Sequence, residues 1–70
     1  MSLSELIKID GIILFTYNDN LYVYLDKEVK KKNKKLQRFH NVAIIRDNEV
    51  LTINNGDARY EVSSYYKTLK

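Results

Sequence analysis

Clusters of Asn, Asp and Gly divide the chain into runs too short for anything but small elements. Asn18-Asp19-Asn20, Asp47-Asn48 and Asn54-Asn55-Gly56-Asp57 each combine residues that bond their own backbone or accept a left-handed conformation. The runs between them are rich in β-branched and aromatic residues. Ile9 to Tyr17 places Ile13, Phe15 and Tyr17 on one face and Ile12, Leu14 and Thr16 on the other. Both faces are largely apolar, which predicts a central strand or one covered on both sides. Leu21 to Leu25 alternates Leu21, Val23 and Leu25 with Tyr22 and Tyr24. These two runs predict a hairpin.

Val42 to Arg46 and Glu49 to Ile53, joined through Asp47-Asn48, predict a second hairpin with a two-residue turn. A fifth strand is expected at Ala58 to Val62, where Ala58, Tyr60 and Val62 alternate with Arg59 and Glu61. Short helical turns are expected at the ends. Ser2 and Glu5 have capping-box spacing, and Ser63-Ser64 precede a stretch carrying Tyr66 and Leu69. Five short strands with no room for parallel crossovers predict a mainly β domain spanning 1–70. It would be a five-stranded antiparallel sheet or a partly open barrel, of SH3-like or OB-like type by element count.

Seventy residues lie near the lower limit for an unassisted core, and there is no cysteine to staple one. A single histidine does not supply a zinc site of the usual kind, so neither metal nor cofactor is expected. The longest apolar run, Gly11 to Phe15, is far below the ~20 residues of a membrane span. With no export signal visible, a cytoplasmic location is expected.

Charge is distributed unevenly. Asp26 to His40 holds Lys27, Lys30, Lys31, Lys32, Lys34, Lys35 and Arg38 against Asp26 and Glu28, a net charge of +5. The other 55 residues sum to −2. This basic insertion between the two hairpins has two conformational readings. As a helix capped by Asp26, it would align Leu25, Val29, Leu36 and Phe39 in one stripe. As a long hairpin, strand two would run on to Val29 and Lys30 to Lys35 would form an exposed loop. The hairpin is preferred, because Asn33 sits mid-segment and the apolar stripe is thin.

Clustered lysines displace counterions from phosphates, which gives salt-sensitive, sequence-independent affinity for DNA or RNA. Tyr22 and Tyr24, next in sequence to the cluster, are candidate base-stacking residues beside it. Lysine in place of arginine favours attraction to the backbone over bidentate base reading. The bland alternative is a solvated loop that blunts sheet edges, with the tyrosines as packing material. No nucleophile elbow, phosphate loop or dinucleotide fingerprint is present, and His40 alone makes a poor case for general-base catalysis, so an enzyme is not expected. The competing expectation is a protein-interaction or inhibitory module of phage or mobile-element type. It would act through an exposed β edge or as a homodimer, with the lysines steering it to an acidic partner.

Overall fold

The structure, a computed structural model, describes residues 1–69. Helix α1 (Leu3–Leu6) precedes hairpin β1 (Ile13–Tyr17) and β2 (Asn20–Tyr24). Helix α2 (Lys27–Lys32) and a 3-10 turn (Lys34–Leu36) then lead to hairpin β3 (Val42–Arg46) and β4 (Glu49–Thr52), and the chain ends in helix α3 (Gly56–Thr68). The strands form one antiparallel sheet in the order β1-β2-β3-β4. It is an open four-stranded sheet with short helices, not a five-stranded sheet, and β1 and β4 are its edges. The strand expected to be central or covered on both sides is thus an edge, with Ile13 and Leu14 exposed on its two faces.

Both hairpin turns follow from their residues. Asn18 and Asp19 have φ of 53° and 66°, and Asp47 and Asn48 have 52° and 63°. Two consecutive left-handed residues make a two-residue loop whose twist matches that of the flanking strands, and Asn and Asp adopt that conformation at low cost.

The stretch expected to be a fifth strand is helix. Its five-residue alternation is overridden by a longer pattern in which Val62 and Tyr66, four apart, are buried together with Ser63. The cluster read as a turn is its cap: the Asn55 side chain accepts from the N–H groups of Asp57 and Ala58. Ser63 and Ser64, expected to end a strand, lie inside this helix.

Helix α3 covers one face of the sheet. There Phe15, Tyr22, Val42, Val62 and Tyr66 form a core rich in rings. Phe15 lies 5.8 Å from Tyr22 and 5.3 Å from Tyr66 between centroids, and Tyr24 stacks on Tyr66 at 4.1 Å. At the rim, the Tyr17 hydroxyl donates to Glu61 at 2.7 Å. That hydrogen bond, reinforced by partial desolvation and the carboxylate's charge, holds the Tyr17 phenol above its ordinary titration range.

The opposite face is aliphatic. Leu6, Val23, Leu25, Val29, Leu36, Ala43, Ile45 and Val50 pack there with Phe39, beneath α1, α2 and the 3-10 turn. Each short cover is held by its own device. Ser2 and Glu5 form the expected capping box, and Leu3 N–H donates to the Asn48 carbonyl at 2.8 Å. Gly11, at φ +89°, lies so close to α2 that a Cβ there would meet Val29 Cγ2 at 2.9 Å. Glycine is needed at that position for both reasons.

Candidate nucleic-acid interface

The basic insertion holds a short helix and a 3-10 turn, broken at Asn33, so the preferred hairpin reading is overturned. Strand β2 ends at Tyr24, and the Asp26 side chain accepts from the Val29 N–H at 2.9 Å, opening α2 as a helix cap. Asn33, the residue that argued for a loop tip, ends the helix instead: its Nδ2 donates to the Val29 carbonyl at 3.0 Å. Gln37 Nε2 donates back to the Lys30 carbonyl. Both satisfy carbonyls that a helix end leaves open. The thin stripe of Val29, Leu36 and Phe39 is buried, and Leu25 with it.

Burial of that stripe decides where the charges go. With Val29, Leu36 and Phe39 turned to the sheet, the cations among them are left on the outside. Lys27, Lys31, Lys32, Lys34, Lys35 and Arg38 are exposed, and Lys30 is half-buried. The segment is therefore a basic lid over the aliphatic core. Among the described residues, Lys35 is the one lysine of the lid in an ion pair, at 3.2 Å from Glu5. That hydrogen bond, with those from Ser2, holds the Glu5 carboxyl below its ordinary range. The Arg38 guanidinium sits 4.7 Å above the ring of Phe39. Lys30, Lys31 and Lys32 occupy the last turn of α2, where they also complement the negative end of the helix.

Of the two tyrosines expected beside the lysines, Tyr22 is separated from them by the sheet, whereas Tyr24 stays at their border. Tyr22 is 8% exposed and its ring belongs to the core under α3. A base could reach its face only by displacing Phe15 or the helix. Tyr24 is half-buried on Tyr66, and borders a cleft of mixed charge at the end of the sheet with Asp26, Lys27, Glu28, Lys30 and Asn41. Asn41 donates to Ser63 Oγ at 3.3 Å and also borders a second depression with Arg59, Tyr60 and Lys67.

Sequence reasoning missed this second group. Tyr60, 76% exposed, is the most open large ring on the described surface. As a strand residue it would share a face with Val62. In a helix, two residues two apart point ~200° apart, so burial of Val62 turns Tyr60 outward. Arg59 is partly committed, its Nη1 donating to the Ile53 carbonyl at 2.7 Å. The spacing of Val62 and Tyr66 was the signal that would have found Tyr60.

His40 is exposed beyond the 3-10 turn. Among the described residues no three of His, Cys, Asp and Glu gather as metal ligands, and no helix is long and apolar enough to cross a membrane. In comparisons with family models, with curated proteins and with solved structures, nothing matched this chain.

Proposed function

We propose that this is a non-enzymatic cytoplasmic protein that binds nucleic acid through the basic lid of α2 and the 3-10 turn. The observation that carries the reading is the outward display of Lys27, Lys31, Lys32, Lys34, Lys35 and Arg38 by a segment whose apolar residues are all turned inward. Like charges held this close on a folded surface retain counterions, and a phosphate backbone releases them. Lysine ammonium groups act as point charges, so the attraction is to backbone and tolerant of sequence. Tyr22 has no place in this contact. Tyr24 and Lys27 sit at its border, in a cleft that shares Asn41 with the separate depression beside Tyr60.

The test is titration into labelled single-stranded DNA, duplex DNA and RNA at two salt concentrations, with heparin and poly-glutamate as polyanion controls. Binding to a nucleic acid should exceed both controls. It should weaken with salt by roughly 0.7–0.9 log units per log unit of salt for each phosphate neutralised. Replacing Lys30, Lys31, Lys32, Lys34 and Lys35 together with Gln should abolish it. Binding no better than to poly-glutamate, or unaffected by the five substitutions, refutes the proposal.

A further inference from the structure

The chain treats the two edges of its sheet differently. At the two-residue loop, Tyr17 and Asn20 flank the turn as partners, and Phe15 pairs with Tyr22 and Ile13 with Tyr24. In antiparallel pairs, residues alternate between bonding the neighbour and facing away. Ile13, Phe15 and Tyr17 thus spend their backbone groups on β2, while Leu14 and Thr16 turn theirs outward. The same alternation turns Val50 of β4 outward, and there the edge is closed. Val50 N–H donates to the Met1 carbonyl at 2.9 Å, and Ser2 forms a bridge with Glu49. Among the described residues, no strand pairs with the outer edge of β1.

That open edge lacks the usual protections. Ile12 to Tyr17 carries neither charge nor proline. Ile13 and Leu14, on opposite faces of the sheet, are 43% and 41% exposed. We propose that the edge is occupied by a second copy of this chain, β1 against β1 in antiparallel register with Leu14 opposite Leu14. In that register Ile12 lies opposite Thr16 of the copy, so outward N–H groups meet outward carbonyls along the strand. Ile13 lies opposite Phe15 of the copy, so each exposed apolar side chain gains an apolar neighbour. The strand carries no charge that would oppose its own copy, and the register pairs its apolar residues with each other, which favours a second copy. Antiparallel pairing across one edge has its two-fold axis normal to the sheet. Both basic lids then lie on the same side of a continuous eight-stranded sheet. A contact limited to one strand per copy is smaller than the standard ~1,600 Å² interface, so the dimer is reversible and concentration-dependent.

This inference does not depend on the nucleic-acid reading, and its test uses protein alone. Sedimentation equilibrium from micromolar to millimolar concentration should show the mass rise from 8.3 kDa toward twice that value. Changing both Leu14 and Thr16 to Lys, at exposed positions outside either core, should weaken association at least about tenfold while circular dichroism stays native. In wild type, exchange of the Leu14 and Thr16 amides should slow as concentration rises, whereas Val50 should be protected throughout; this readout needs no variant. A mass of one chain at every concentration overturns the proposal. So does a dimer that survives the double substitution, or Leu14 and Thr16 exchange that is independent of concentration.

Discussion

The two faces of the sheet solve the same problem with opposite materials. Under α3, one 13-residue helix brings Val62 and Tyr66 down onto rings contributed by β1 and β2. Opposite, three elements of 4, 6 and 3 residues share the work, and the core beneath them is almost wholly aliphatic. Helices this short do not persist on propensity alone, so their conformation depends on burial and on their caps. The aromatic side has one continuous cover and the aliphatic side a patchwork. The patchwork is also where the lysines are. The surface proposed for binding is thus carried by the cover with the least structure of its own.

The sharpest way to break this comparison is to truncate one residue on each side. Phe15→Ala removes the ring that meets Tyr22, Tyr65 and Tyr66, and should cost about 3–5 kcal/mol in denaturant unfolding, lost from the whole molecule at once. Leu36→Ala, at a fully buried position, should cost about 2–5 kcal/mol. Its effect on amide exchange should be concentrated in α2 and the 3-10 turn, with α3 much less affected. Uniform loss of protection in both variants would mean that the two faces are one cooperative unit.

A smaller effect sharpens the picture of the patchwork. Asp26→Ala deletes the cap of α2 and should cost about 1 kcal/mol, with helical protection lost first at Val29. An unchanged midpoint would show that burial of Val29 alone holds the helix.

The smallest effect is electrostatic and exposed. Glu5 titrates below its ordinary value because of Lys35 and Ser2. A depressed carboxylate stabilises the fold above its unfolded-state pKa, and that contribution is lost as pH falls through the folded-state value. Lys35→Gln should move the Glu5 midpoint, followed by NMR, upward toward the ordinary carboxylate range. A midpoint that does not move would show that Ser2 alone sets the depression and that the α1 contact with the lid is incidental.

Part of this molecule was legible before folding. Each hairpin is a local event: the left-handed tolerance of Asn and Asp, and the two-residue period beside them, are properties of adjacent residues, so both hairpins could be read directly. The first strand nevertheless begins at Ile13 and not at Ile9, and the second spans Asn20–Tyr24 and not Leu21 to Leu25. The capping box at Ser2 and Glu5 is equally local, as is the concentration of charge between Asp26 and His40. Tertiary structure decided the rest, wherever a segment had two acceptable local forms. Ala58 to Val62 alternates like a strand, and it is helix because Val62 and Tyr66 together fill the hollow above Phe15 and Tyr22. The basic insertion takes a short helix and a 3-10 turn on either side of an extended Asn33, and with them Val29, Leu36 and Phe39 all reach one aliphatic face. Those same two choices sent the lysines to one side of the sheet, Tyr22 to the interior of the other and Tyr60 to the surface. Period and propensity act over a few residues, whereas burial is settled between residues far apart in the chain. Where the two compete over short segments, burial wins.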